Sequence, residues 1–101
     1  MMEPGRPYVL RLYVTGSTSR SLQAIVNLKA ICEAHLPGRY ELDVIDVYQQ
    51  PALAREAKVV ATPTLVRVQP PPRRTLTGTL DDAAEVLDLI GLTRQSNGTA
   101  L

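Results

Sequence analysis

The sequence has no tryptophan or phenylalanine, and its only aromatic residues are four tyrosines. We therefore expect no aromatic surface that stacks nucleic-acid bases, and a core built from Leu, Val, Ile and Ala. An excess of charge of one sign is lacking too, because 11 Lys and Arg residues stand against 10 Asp and Glu residues. This balance predicts neither nucleic acid nor a membrane surface as a partner. The 101 residues, of which 45% are hydrophobic, suit one compact domain.

Cysteine and histidine occur only once each, as Cys32 and His35. A single cysteine cannot form an internal disulfide, which fits a reducing cytoplasm, and no further Cys or His completes a zinc site. We expect no metal and no cofactor. Apolar runs are far too short to cross a bilayer, and the N-terminus lacks the apolar core of a signal peptide. The polar ends, residues 1–7 and 93–101, predict flexible segments around a single domain of residues 8–92.

The first half of the chain predicts a βαβ unit. Residues 8–14 are mainly apolar on both faces, which is typical of a strand in the middle of a sheet. Residues 40–47 alternate like a strand with one wetter face. Between them lie candidate N-caps and apolar residues at helical spacing: Ser17, Thr18, Ser19, then Leu22, Ile25, Leu28, Ile31 or Cys32, and Leu36. The two strands should therefore be parallel and joined by a right-handed crossover.

The second half predicts a short helix that begins at Pro51, a strand over residues 64–68, a shorter strand interrupted at Gly78, and a closing helix. The order βαβ, α, ββ, α is that of an α/β thioredoxin-like fold. Three arginines surround the proline-rich turn in this half, and we interpret them as part of a solvated loop: Arg67, Arg73 and Arg74.

The segment ATPT, residues 61–64, supports this fold class. Thioredoxin-like folds carry a cis-proline just before the third strand, and Pro63 is the candidate. Thioredoxin chemistry, however, needs two cysteines at the start of the first helix, where this sequence has GSTSRS. Cys32 lies further along the helix on an apolar stripe, so we interpret it as a packed core cysteine. The sequence favours a binding module over an enzyme, with a thiol redox protein using Cys32 as a distant alternative.

Three longer segments form a specific combination: YVLRLYVTGSTSRS, LPGRYELDVIDV and QPALAREAKVVATPTLVRVQPPPRR, with Gly78 after them. They closely resemble the circadian clock family KaiB over about residues 8–92. This resemblance implies a non-enzymatic protein that binds the ring of a KaiC-type ATPase and sequesters, or competes with, other clock regulators. It also implies a metamorphic protein, with a homotetrameric ground state that is wired differently in its C-terminal half and a thioredoxin-like monomer that binds KaiC.

Four prolines frame the segment that such a change of fold would rearrange: Pro63, Pro70, Pro71 and Pro72. Isomerisation of an X–Pro bond takes tens to hundreds of seconds, so our hypothesis is that these prolines make a switch slow. The alternative is that they only shape a turn and block edge pairing.

Two residues near the C-terminus depart from the clock members of the family, which carry Gly and Asp where this chain has Leu89 and Gly91. Because Gly inside a helix costs about 1 kcal/mol relative to Ala and Leu is a good helix former, we predict that this chain favours the thioredoxin-like state.

The surface that the family uses for KaiC is matched in part. Tyr8 and Lys58 agree with the family, whereas Glu41 and Asp43 replace a small residue and a lysine. Gln23 likewise stands where clock members carry an arginine used towards other regulators. Added negative charges change which partner fits. The alternative is therefore a KaiB-like paralogue with a different partner, in stress or signalling, that docks through β-augmentation.

Overall fold

The computed structural model describes residues 7–92, so the ends predicted to be flexible lie outside the described residues apart from Pro7. The predicted order of elements is confirmed. Strand β2 ends one residue earlier than predicted and strand β3 one residue later. None of the three described helices is long and apolar enough to cross a membrane. The elements are β1 (Tyr8–Val14), α1 (Ser19–His35), β2 (Tyr40–Asp46), α2 (Pro51–Glu56), β3 (Thr64–Gln69), β4 (Arg74–Thr77) and α3 (Ala83–Ile90).

The four strands form one sheet in the order β2-β1-β3-β4. Strand β1 lies in the middle, as its two apolar faces predicted, and pairs parallel with β2 and antiparallel with β3. Strand β4 pairs antiparallel with β3. The parallel β1–β2 pair joined through α1 confirms the predicted βαβ unit, and β2 and β4 are left as the two edges of the sheet.

Helices cover both faces of the sheet. On one face, α1 and α3 pack on alternate residues of β1, and this larger core contains Leu10, Leu12 and Val14. On the other face, α2 is the one described helix, and it packs on a smaller cluster built around Tyr13, Ile45 and Val66. The alternation of side chains along each strand therefore decides whether a residue belongs to the α1/α3 face or to the α2 face.

A local residue marks the start of each helix, and Thr18 and Pro51 act as predicted. Thr18 is the N-cap of α1, and its side-chain oxygen accepts a hydrogen bond from the Ser21 N–H at 3.2 Å. Asp82 caps α3 in the same way by accepting from the backbone N–H groups that follow it. Pro51 occupies the first turn of α2, where its missing N–H has no helical partner to lose.

The predicted apolar stripe of α1 is wrong at its first residue. Leu22 is 51% exposed, whereas the residues that face the sheet are Ser21, Ala24, Leu28 and Cys32. Ser21 is tolerated in the core because its hydroxyl accepts a hydrogen bond from the Thr15 N–H at 3.1 Å. Leu22 follows Ser21 by one residue, which is about 100° around an α-helix. A helix that turns Ser21, Ala24 and Leu28 towards the sheet therefore leaves Leu22 facing solvent.

Candidate functional site

The six residues predicted to take part in a change of fold lie in two regions. Pro63 is buried before β3 and follows a cis peptide bond, as predicted, and the Gln69–Pro70 and Pro71–Pro72 bonds are also cis. The three consecutive prolines connect β3 to β4. At the end of α3, Leu89 is buried and Gly91 has a left-handed conformation with φ 102. The role of these residues in a switch between folds stays a prediction.

Helix α2 ends in a Schellman motif with Lys58 in its left-handed position, at φ 59. The Lys58 N–H donates to the Arg55 carbonyl at 3.0 Å, and the Val59 N–H donates to the Ala54 carbonyl at 3.0 Å. Glycine usually occupies this position, because a side chain there costs roughly 1–2 kcal/mol. Lys58 is exposed, so the end of α2 displays a positive charge on a backbone held by hydrogen bonds.

Glu41 and Asp43 are exposed on β2, at the edge of the sheet. They are two residues apart and so share one side of the strand, the side that faces α2. Asp43 lies beside Arg11 in the β1–β2 register, and both line a groove of about 270 Å³ together with Leu53 of α2. The α2 face therefore carries an acidic pair at its edge and Lys58 at the end of its helix.

Tyr8 lies on the opposite face of the sheet. Its side chain is half-buried and packs against the larger core, and the Arg39 guanidinium carbon lies 5.8 Å from the centre of its ring. Gln23 is exposed on α1, next to exposed Leu22 and Val26. The structure thus brings Lys58, Glu41 and Asp43 to one face of the sheet and places Tyr8 and Gln23 away from them.

The sequence did not predict that Arg11 and Arg73 belong to the α2 face. Arg11 is the one charged residue in the otherwise apolar strand YVLRLYV. A single charge in such a strand indicates that its side chain reaches a polar part of the surface. Arg11 and Arg73 line a second groove of about 170 Å³ on the other side of Leu53. Arg73 also donates a hydrogen bond to the Ala57 carbonyl at 2.6 Å.

The interpretation of the arginines around the proline turn as a solvated loop is wrong for Arg67, which is only 6% exposed. Its guanidinium donates to the Leu89 carbonyl at 2.9 Å, the Ile90 carbonyl at 3.2 Å and the Pro72 carbonyl at 2.8 Å. Burial, followed by the nearby charge of Arg74, lowers the pKa of Arg67 from its usual range. Arg67 therefore ties the proline turn to the C-terminal end of α3, where the helix dipole favours a cation.

Cys32 is fully buried on α1. Burial, and to a smaller extent the charge of Glu33, raises the pKa of this thiol to about 11. A thiolate is therefore scarce near neutral pH, and Thr18 stands at the helix N-terminus where a redox protein would need a cysteine. Across residues 7–92, no three His, Cys, Asp or Glu side chains are grouped so as to hold a metal ion.

The order of elements and the strand order of the sheet define a thioredoxin-like fold. The X-ray structure of Fasciola hepatica thioredoxin matches 85% of this chain and 79% of its own, with a TM-score of 0.69 at 17% identity. The solution structure of the N-terminal domain of Synechococcus elongatus SasA matches 93% of this chain and 92% of its own, with a TM-score of 0.65 at 29% identity.

Within that class, the sequence decides the family. The KaiB domain matches residues 11–92, and the chain belongs to the KaiB family. The circadian clock oscillator protein KaiB of Synechococcus sp. strain RCC307 is 48% identical over 91 residues, which cover 90% of this chain and 81% of that protein. KaiB of a Picosynechococcus strain is 52% identical over 87 residues, which cover 86% of this chain and 82% of that protein.

Proposed function

We propose that this protein is a regulatory binding protein that docks on the ring of a KaiC-type ATPase in circadian timekeeping and performs no catalysis itself. The observation that carries the proposal is the α2 face, where Lys58 is exposed at the end of a short helix. Lys58 is one of the two residues, with Tyr8, that match the surface the family uses for KaiC. A reducing cytoplasmic location is part of the same proposal, since the chain has a single cysteine.

The shape of the α2 face suits docking. Leu53 lies between two grooves of about 270 and 170 Å³, both lined by Arg11 as well, so a partner's side chains could seat on each side of the helix. The backbone at Lys58 is already held by hydrogen bonds. Binding through a preordered lysine loses less conformational entropy than binding through a free loop.

A second candidate function is a KaiB-like paralogue that binds a different partner. The observation in its favour is the exposed pair Glu41 and Asp43 on the same face of the sheet as Lys58. Two carboxylates there would repel an acidic partner surface and attract a basic one, which acts on partner choice more than on raw affinity. The two candidates share the docking face and differ in the charge of the surface that it accepts.

The test is co-elution from a sizing column with the ATP-loaded KaiC-type ring of the same cell, after long incubation. We expect the wild-type protein to co-elute and Lys58→Ala to lose binding. Lys29→Ala is the matched control, because Lys29 is the chain's other lysine, is exposed, and belongs to α1 on the opposite face. Equal binding by both variants would argue against the α2 face.

Absence of any co-elution, with circular dichroism showing a folded protein, would overturn the KaiC-type proposal and favour the paralogue. The double variant Glu41→Gln with Asp43→Asn then becomes informative. If removing the two charges creates binding to the ring, the acidic pair is what redirects this chain to another partner. If it creates none, the docking face as a whole has changed its target.

A further inference from the structure

The peptide bond between Ala57 and Lys58 is held from both sides. Its carbonyl accepts a hydrogen bond from the Arg73 guanidinium at 2.6 Å, and its N–H donates to the Arg55 carbonyl at 3.0 Å. Arg73 lies just before β4, 16 residues further along the chain than Ala57. The contact therefore connects the loop after the three prolines to the end of α2.

The Ala57 carbonyl is one of those that a helix end leaves without a helical partner. The Schellman motif supplies donors for the carbonyls of Ala54 and Arg55. Arg73 supplies one for Ala57, and its positive charge suits the negative end of the helix dipole. The arginine thus completes the hydrogen bonding of this helix end from a distant part of the chain.

A lysine in the left-handed region is strained, because its Cβ crowds the backbone there. Rotation of the Ala57–Lys58 peptide would relieve this strain, but it would also turn the carbonyl away from Arg73 and the N–H away from Arg55. The hydrogen bond from Arg73 therefore opposes the motion that would redirect the Lys58 side chain.

We propose that Arg73 is a positioning residue that fixes the backbone of Lys58 and thereby the direction in which its ammonium group is displayed. The inference rests on the proposed function, since it concerns the same docking face. It differs from a general stabilising role because Arg73 is exposed and its hydrogen bond reaches the peptide group that joins Ala57 to Lys58. A surface hydrogen bond of this kind should matter little to global unfolding and much to local order.

The first experiment needs no partner. Amide hydrogen exchange is measured by NMR at Lys58 and Val59 in the wild type and in Arg73→Met, which keeps the aliphatic stem and loses the donors. We expect exchange about fivefold faster in the variant, with wild-type circular dichroism. Arg74→Met is the matched control: it removes the same charge from the adjacent residue, whose ion-pair partner is Asp88 of α3, and should leave both amides unchanged. Arg73→Lys keeps one charged donor and should restore most of the protection.

The second experiment measures affinity for the ATP-loaded KaiC-type ring. We expect Arg73→Met to weaken binding about fivefold in the wild-type background and to have no further effect in a Lys58→Ala background, because it acts through Lys58. Unchanged amide exchange in Arg73→Met would overturn the inference, whether or not the ring binds. An equal loss of affinity in both backgrounds would overturn it as well, since Arg73 would then contact the partner directly. Failure of the ring to bind any form refutes the proposed function alone, because the exchange experiment still decides the role of Arg73.

Discussion

Replacing Arg67 by methionine should destabilise the protein through the end of α3. The guanidinium is 6% exposed and donates to three backbone carbonyls, two of which, those of Leu89 and Ile90, belong to the last turn of that helix. Methionine has a similar stem and no donor, so it removes the hydrogen bonds without leaving a large cavity. The third carbonyl, of Pro72, belongs to an exposed residue and can bond to water instead.

The size of the effect follows from what is left unpaired. A buried acceptor without its donor costs about 1–3 kcal/mol, and the Leu89 and Ile90 carbonyls both lose theirs. The loss is offset in part because the substitution no longer buries a cation, whose Nε atom has no hydrogen-bond partner among residues 7–92. We therefore expect a net loss of about 2–4 kcal/mol, a large share of the roughly 5–15 kcal/mol that a domain of this size has.

Urea unfolding followed by circular dichroism checks this, with a lower midpoint and an unchanged slope expected for Arg67→Met. Arg74→Met serves as the control, because Arg74 is exposed and lies 3.8 Å from the Asp88 carboxylate, a pair worth at most about 1 kcal/mol. If Arg67→Met is as stable as the wild type, the desolvation of the guanidinium cancels its hydrogen bonds and the reasoning is refuted.

Two further predictions concern the end of α3 and the core of the α1/α3 face. Gly91→Ala should lower the free energy of unfolding by about 1–2 kcal/mol, measured in urea, and should cost more than Gly38→Ala. Both glycines have positive φ, but of the two only Gly91 would place the added Cβ near another atom, 3.2 Å from Arg67 Nη1. Equal losses would show that this contact does not matter. The raised pKa of Cys32 should stabilise the folded state fully below pH 9.0, the pKa of the unfolded thiol, and this stability should be lost as the pH rises to about 11. The loss of free energy of unfolding amounts to about 2–3 kcal/mol. It is measured by unfolding the wild type and Cys32→Ala at pH values between about 8 and 11, and Cys32→Ala should not show it. If the stability of both proteins falls in parallel with pH, the assignment to Cys32 is contradicted.

Short segments of the sequence determine much of the fold. Thr18 caps α1, Pro51 opens α2, and the alternation of β1 gives the central strand, because each of these depends on neighbours within a few residues. The βαβ order then leaves little choice about the parallel pairing of β1 with β2. The family was also recognisable from sequence, since its motifs are contiguous.

The docking face was predictable only in part. Lys58, Glu41 and Asp43 could be named from the resemblance, but the separation of Tyr8 from them depends on which side of β1 and β2 each residue occupies in the folded sheet. Arg11 is detectable in the sequence as a single charge in an apolar strand.

Only the tertiary structure determined which backbone groups the long arginine side chains bind. Arg67 and Arg73 are both arginines beside the proline-rich turn in the sequence, yet Arg67 is buried against the end of α3 and Arg73 reaches the end of α2. Their acceptors are 22 and 16 residues away, on opposite faces of the sheet. A hydrogen bond over such a separation forms only when packing has already placed both helix ends, so no local pattern of residues can encode it.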